Sequence, residues 1–418
     1  MSTYHASYAL LPVTLAALFA ADQAPPQKFH PAPVQASSLT IRLERAGRMS
    51  THVNPTSPAA AGAHLLLIDQ AGTVDLWDGA STRRVLGPQD TPAGLKLVGH
   101  ERVLNAAASA DGTKVYVVFV SSTAPAGVPR RISPRAQSDD WYVPVEFAFD
   151  GERFSSPRPL AALAMRVDGH TGGGLAVLPD GSLIFAAGDN GDSYEDGRDY
   201  SQDPTTHLAK IVRITPTTGA ITIVALGIRI AQRLTVSGQG DDARVHFVDP
   251  GGWVSEELNS VRVADLLGSR GPVNFGWGRS AADGRAREGT FFIGPTGNAV
   301  APITDPVPGF LDPVAEFGRE GATAVAISGP AARSRSLKTI SLLFGDLVSG
   351  KVFAVTGPPA ETSQPVFQVG LVDERGKPVT LWDLAGGRRP DPRFFTFPAG
   401  TAGVLLEATG EFFRLIEG

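Results

Sequence analysis

The sequence contains no cysteine. This absence excludes disulfide bonds, thiolate metal sites, a cysteine nucleophile and a cysteine-linked lipid anchor. Charged residues are also few, at 19% of the chain, and the formal net charge is only −5. Because neither sign of charge dominates, we expect no nucleic-acid partner and no anionic-membrane surface. Long stretches with apolar residues at helical spacing are missing as well, which argues against a helical protein.

What the chain does contain is typical of many short strands joined by tight turns. It has 47 glycines and 33 prolines, and 42% of its 418 residues are hydrophobic. Short apolar runs recur, and Asp-Gly pairs such as Asp78-Gly79 and Asp180-Gly181 close several of them. Asp-Gly supplies the positive φ angles that hairpin turns need. The pattern therefore predicts an all-β protein.

The length of the chain favours a β-propeller over a sandwich. A propeller grows by adding blades of about four strands, and about six blades fit this chain. We predict one propeller domain over residues 39–418, with two long loops, 121–142 and 279–313, at one mouth of its channel. The one candidate helix lies over Ser255–Leu267, although the family resemblance described below makes part of that segment a strand.

The first 38 residues are predicted to lie outside the propeller. Residues 8–21 form an uncharged apolar run that is too short to span a bilayer and fits the core of a secretory signal. We assign residues 1–24 to a signal peptide and residues 25–38 to a proline-rich linker. The mature chain would then be periplasmic or secreted, with no membrane span.

The segment from Asp168 to Asp192 carries the strongest chemical signal. It places His170 before a strand, and Asp189 at the end of the next strand, after a Pro-Asp-Gly turn. The start of one strand and the end of the next are neighbours in an antiparallel hairpin. His170 and Asp189 should therefore meet, and a carboxylate beside an imidazole raises its basicity. The glycine run after His170 would let a ligand approach the backbone. The alternative is an ordinary surface histidine before a turn, with Asp189 capping a strand.

The block HTGGGLAVLPDGSLIFAAGD resembles the soluble glucose/sorbosone dehydrogenases, also called PQQ-dependent aldose sugar dehydrogenases. Further segments resemble the same family in the same order, from about His64 to Val355: LAKIVRITPTTG, ALGIRIAQRL, GGWVSEELNSV, GPVNFGWG and LLFGDLVSGKVFAV. The resemblance implies a six-bladed β-propeller that holds pyrroloquinoline quinone (PQQ) and a calcium ion. It also implies oxidation of an aldose or a related alcohol, with a periplasmic electron acceptor as partner.

The resemblance assigns roles to individual residues. His170 would be the base that takes the hydroxyl proton, Asp189 would orient it, and Arg229 would be the cation beside the quinone. Calcium would lie on the backbone carbonyls of Gly251 and Gly252, because a hard cation prefers oxygen ligands. Arg229 would also contact the cofactor, and the resemblance places further cofactor contacts at four positions: His100, Gln232, Lys351 and Arg393.

Several positions depart from the family pattern in the cofactor site. Ile230 replaces an asparagine that contacts the cofactor, Val348 replaces a lysine, and only Arg393 stands for a pair of arginines. PQQ is a tricarboxylate, and each lost charge-assisted hydrogen bond costs about 1.5–3 kcal/mol. Two alternatives to a dehydrogenase therefore stay open. One is a cofactor-free hydrolase or lyase that uses the same base, and the other is a non-catalytic propeller that binds carbohydrate or protein.

Overall fold

The computed structural model describes most of the chain after residue 30. The described residues are 31–49, 54–90, 92, 94–98, 102–133, 140–166, 169–191, 200–279, 284–294, 299–305, 307–318, 327–332 (backbone only) and 334–418. The predicted signal peptide and His100 lie outside them, so export and the role of His100 stay predictions. No described helix is long and apolar enough to cross a membrane.

Strand β1 (Gln35–Arg48) comes first along the chain, and three sheets follow it. The first sheet holds β2 (Ala59–Ala61), β3 (His64–Ile68), β4 (Val74–Trp77) and β5 (Thr82–Leu86). The second holds β6 (Val103–Ala108), β7 (Lys114–Ser121), β8 (Arg130–Arg131), β9 (Trp141–Phe149), β10 (Phe154–Pro159) and β11 (Ala162–Ala164). The third holds β12 (Gly172–Val177), β13 (Leu183–Ala187), β14 (Lys210–Ile214) and β15 (Ile221–Leu226).

The second half of the chain completes the sheets. The fourth sheet holds β16 (Thr235–Ser237), β17 (Arg244–Pro250), β18 (Ser255–Arg262) and β24 (Ala315–Gly318). Between β18 and β24, strand β19 (Val273–Asn274) joins the third sheet, and a small separate sheet holds β20 (Gly278–Arg279), β21 (Ala286–Glu288), β22 (Phe291–Ile293) and β23 (Ala299–Pro302). The next strands are β25 (Ile327–Ala332), β26 (Leu342–Asp346), β27 (Val352–Val355) and β28 (Phe367–Val372), with β29 (Pro378–Val379) paired to β28. The last three strands are β30 (Pro392–Thr396), β31 (Ala402–Leu406) and β32 (Glu411–Glu417).

The first strands of the blades form a closed ring. Strand β2 contacts β6, and the contacts continue through β12, β16, β25 and β30 back to β2. Each of these strands opens one blade, so the ring has six blades and the predicted six-bladed all-β propeller is confirmed. Residues just before β2, β12, β16 and β30 line one shared cavity. These strands therefore start at the same end of the channel, which we call the mouth.

Strand β1 closes the ring. It pairs antiparallel with β32 and so becomes the outermost strand of the sixth blade, while its other edge runs parallel to β28 of the fifth blade. Its first residue is Gln35, so it takes in the last four residues of the segment predicted to be a linker (residues 25–38). The reason is that the sixth blade receives only three strands, β30 to β32, from the end of the chain and needs a fourth.

The candidate helix over Ser255–Leu267 is mostly a strand. Residues Ser255–Arg262 form β18, and only Val263–Leu266 form a short helix, α1. A second short helix among the described residues, α2, covers Leu381–Leu384. Seven of the eight β18 residues are buried, because neighbouring strands flank both of its edges and other elements cover both of its faces. A strand that is buried on both sides loses the alternation of polar and apolar residues that would have marked it in the sequence.

Candidate functional site

The hairpin of β12 and β13 brings His170 and Asp189 together at the mouth. Gly172 pairs with Ala187, so His170 lies just before the first strand and Asp189 just after the second. Nδ1 of His170 lies 2.9 Å from Oδ1 of Asp189. The carboxylate is buried, whereas the imidazole is 41% exposed. With its Nδ1 proton donated to Asp189, the ring presents Nε2 as the proton-accepting atom.

The backbone around this pair is folded tightly. His170 has a φ of 47°, in the left-handed region that few residues other than glycine adopt. A Cβ atom at Gly188 would lie 1.8 Å from the carbonyl oxygen of His170, and one at Gly172 would lie 2.6 Å from the nitrogen of Gly188. The glycine run was predicted to let a ligand approach. The absence of a Cβ at Gly172 and Gly188 lets the two strands of this hairpin approach each other, because the neighbouring backbone already fills that space.

Arg229 lies on the other side of Asp189. Its Nε is 3.9 Å from Oδ2 of Asp189, and its guanidinium carbon is 5.4 Å from the ring centre of Trp277. The backbone nitrogens of Arg229 and Ile230 each donate to the buried carboxylate of Asp249, at 2.7 Å. The structure therefore groups His170, Asp189 and Arg229, while the catalytic roles of these residues remain predictions.

The loop that carries Gly251 and Gly252 follows β17 at the mouth and wraps around a carboxylate. Oε1 of Glu288, in β21, accepts hydrogen bonds from the backbone nitrogens of Trp253, Val254 and Ser255, at 3.0, 2.8 and 2.9 Å. A carboxylate that accepts several buried N–H groups fixes their positions strongly. Glu288 is thus a positioning residue that the sequence did not reveal.

Replacing Glu288 with glutamine should destabilise this loop. The amide oxygen can still accept from the backbone, but the charge is lost and the amide nitrogen cannot accept from Trp253. We expect a loss of about 1 kcal/mol in the free energy of unfolding, measured by urea titration. The exposed Glu152, changed to glutamine, serves as the control; an equal loss in both variants would contradict this role for Glu288.

A polar cavity of about 220 Å³ occupies the channel at the mouth. Gln232 and Arg393, which were both predicted to contact a cofactor, line it, and Nη1 of Arg393 donates to Oε1 of Gln232 at 3.1 Å. Thr171 and Gly172 also line it, so the cavity reaches the residue next to His170. The structure thus brings Gln232 and Arg393 to the mouth, while their contact with a cofactor stays a prediction.

Two acidic residues in the cavity were not anticipated. Nη2 of Arg393 lies 3.0 Å from Oδ1 of Asp391 and 3.2 Å from Oε2 of Glu407. Burial, together with the hydrogen bond and charge of Asp391, raises the pKa of Glu407 to about 7. Asp391 stands two residues before Arg393, and this short spacing between an acid and an arginine was the available signal.

Lys351, another predicted cofactor contact, is placed elsewhere. It is exposed at the start of β27 and is not among the residues that line the cavity. Lys351 lies just before β27, which is the third strand of its blade counted outward from the channel, and its contact with a cofactor stays a prediction.

The described residues fit PQQ and calcium poorly. Arg393, the arginine expected to hold a cofactor carboxylate, is already paired with Asp391 and Glu407, so its charge is balanced within the protein. The carbonyl oxygens of Pro250 and Gly251 accept hydrogen bonds from Nη1 of Arg229, at 3.1 and 3.0 Å. A calcium ion on Gly251 would lie against that guanidinium, and like charges repel strongly at short range. The described part of the chain also contains no cluster of three histidine, aspartate or glutamate side chains suited to a metal.

Comparisons with known proteins identify the fold. No family model and no curated protein matches the chain. The PQQ-bound aldose sugar dehydrogenase of Streptomyces coelicolor has 18% identity and a TM-score of 0.58, over 93% of this chain and 100% of that one. A putative oxidoreductase (glucose dehydrogenase) of Thermus thermophilus has 15% identity and a TM-score of 0.58, over 90% and 100%. Another glucose dehydrogenase has 17% identity and a TM-score of 0.57, over 90% and 99%.

Proposed function

Because the chain has the propeller fold of sugar dehydrogenases and a polar cavity beside His170, we propose that it is an enzyme acting on a sugar-like substrate without a quinone cofactor. The contact of 2.9 Å between His170 and Asp189 at the mouth carries this proposal. A carboxylate that fixes the tautomer of an exposed histidine is the arrangement of a general base.

The proposed chemistry is hydrolysis or elimination, with His170 as the proton acceptor. In hydrolysis, Nε2 takes a proton from a water molecule, and the water oxygen bonds to the carbon of the C–O bond that is cleaved. In elimination, Nε2 takes a proton from the neighbouring carbon, and the C–H electron pair becomes a double bond as the C–O bond breaks. In both reactions the leaving oxygen takes the proton back from the imidazolium, which the buried Asp189 stabilises while it exists. Arg229 lies 3.9 Å from the same carboxylate and places a positive charge beside it. Both reactions move a proton and need no electron acceptor, in agreement with the poor fit of the cavity to PQQ.

A PQQ-dependent sugar dehydrogenase is the second candidate, together with calcium and a periplasmic electron acceptor. The observation that favours it is the match in fold to the PQQ-bound aldose sugar dehydrogenase, at a TM-score of 0.58. In that case His170 would take the hydroxyl proton of the sugar, and Arg229 would be the cation near the cofactor. Arg393 would have to leave its carboxylate partners to hold the quinone.

Reconstitution separates the two candidates. Purified protein is mixed with PQQ and calcium, passed through a desalting column, and examined for a visible absorption band and for dye reduction with a panel of aldoses. We expect no bound chromophore at micromolar PQQ and no dye reduction. The same sugars and their glycosides are followed by NMR without added cofactor, where conversion is expected. A bound chromophore with dye reduction would establish the dehydrogenase, and no conversion in either assay would indicate a binding propeller.

A further inference from the structure

Arg233 is a cation in the channel that no other part of the proposed mechanism uses. It follows Gln232 in the loop before β16 and lines the same cavity. Its Nη1 donates to the carbonyl oxygen of Pro58 at 3.3 Å. Pro58 precedes β2, in the blade opposite that of β16, so the side chain reaches across the channel. In the described part of the chain, its buried Nε has no hydrogen-bond partner.

The charges around the cavity are unevenly matched. Arg393 has two carboxylate partners, Asp391 and Glu407, and Arg229 lies beside Asp189. Arg233 forms no ion pair with any described residue, and burial lowers its pKa to about 10, so it is still charged at neutral pH. Arg233 is half-buried, and a charge that is partly removed from water without a counter-ion is costly, so a ligand of opposite charge lowers that cost.

A second polar group without a partner lies near Arg233. Thr56 lines the cavity in the same segment as Pro58, and its buried hydroxyl has no hydrogen-bond partner among the described residues. Buried polar groups are nearly always hydrogen-bonded in native proteins, so such an exception at a cavity wall indicates a ligand. Arg233 and Thr56 thus offer one positive charge and one hydroxyl to the same side of the cavity.

We infer that the cavity binds a sugar acid, with its single carboxylate on Arg233 and its hydroxyl groups on the polar wall. This inference deepens the proposed function, because it names the substrate class of the same site. One unmatched guanidinium suits one carboxylate, which it can bind with two parallel hydrogen bonds. Asp391 and Glu407 line the same cavity, and their carboxyl oxygens can accept hydrogen bonds from the hydroxyl groups of the sugar.

Calorimetric titration of matched ligand pairs tests the inference. The acids are D-glucuronate, D-galacturonate and D-mannuronate, and each is compared with its uncharged amide and with the neutral hexose. We expect the wild-type protein to bind at least one acid about tenfold or more tightly than its amide, since a charge-assisted hydrogen bond is lost in the amide. No preference for the acid in any of the three pairs would overturn the inference. Tighter binding of glucose 6-phosphate than of every uronate would also contradict the assignment to a carboxylate.

Variants assign the preference to one residue. Arg233→Gln should bind acid and amide equally, whereas Arg262→Gln, which changes an exposed arginine paired with Asp265, should keep the wild-type preference. Arg233→Lys retains the charge and should keep part of the preference, and it is available if the glutamine variant does not fold. A preference that survives in Arg233→Gln would overturn the role of Arg233. His170→Ala should still bind the acid, so a failure of the proposed catalysis is distinguishable from a failure of this inference.

Discussion

Replacing His170 with alanine is expected to lower kcat by about 10²–10⁴-fold, the usual contribution of a general base. The ring of His170 is partly exposed, and its hydrogen bond among the described residues is with Asp189, so the fold should tolerate the change. The measurement is the turnover of the sugar that the wild-type protein converts, together with the thermal unfolding midpoint. A variant that keeps most of its activity would remove His170 from the mechanism.

Asp189→Asn tests the carboxylate separately from the base. The asparagine can still hydrogen-bond to Nδ1, but it carries no charge to stabilise the imidazolium that forms during the reaction, so kcat should fall by about 10²-fold. Lys377→Gln, which changes an exposed lysine in a distant hairpin, should leave kcat unchanged. An unchanged kcat in Asp189→Asn would indicate that Asp189 is only structural.

The sequence predicts those contacts that arise within one hairpin. His170 and Asp189 are 19 residues apart, and the antiparallel register of β12 and β13 alone is enough to bring them together. Such local pairing depends on the turn and the strand lengths, and both can be derived from the pattern of residues. The positions of Arg229, Gln232 and Arg393 at the mouth came instead from the resemblance to a family, since only the closed ring brings their blades together.

Contacts across the channel could not be derived in the same way. Arg233 and Pro58 are 175 residues apart, and Arg393 and Gln232 are separated by 161. Which side chains meet there depends on how six blades close into a ring, and the spacing of residues in one blade holds no information on this. Arg393 forms ion pairs with Asp391 and Glu407. This pairing changes the interpretation of the cavity, because the arginine that was expected to bind an anionic cofactor already has its charge balanced.

A row of three carboxylates in the fourth blade, two of them buried and one half-buried, was also hidden in the sequence. Asp249 in β17 pairs with Glu257 in β18, which pairs with Glu316 in β24, so the three acids are neighbours across three strands. Burial raises the pKa of Asp249 to about 7 and that of Glu257 to about 8, and it also raises the pKa of Glu316. Arg287 acts in the opposite direction on Glu257 without cancelling the effect of burial.

These raised pKa values predict that the protein loses stability as the pH rises, until the pH passes the highest of them. The unfolded chain releases the protons of Asp249 and Glu257 near their ordinary pKa values of 3.8 and 4.5. The folded chain holds them until the pH passes about 7 and about 8, so folding becomes less favourable up to that range. The buried His207 and His246, whose pKa values are lowered by burial, are almost entirely neutral in both states above pH 7 and contribute little there.

The loss should be about 2 kcal/mol in the free energy of unfolding between pH 7 and pH 9, and Glu257→Gln should abolish most of it. The glutamine can accept from the backbone nitrogen of Gly289 as Glu257 does. A rotated Asn259, whose Oδ1 has no described partner, can accept from its amide. Urea titrations at the two pH values measure the effect, with the exposed Glu361→Gln as the matched control. If wild type and Glu257→Gln lose equal stability, the carboxylate row is not the cause, because the variant removes the titration of Glu257 without removing its hydrogen bonds.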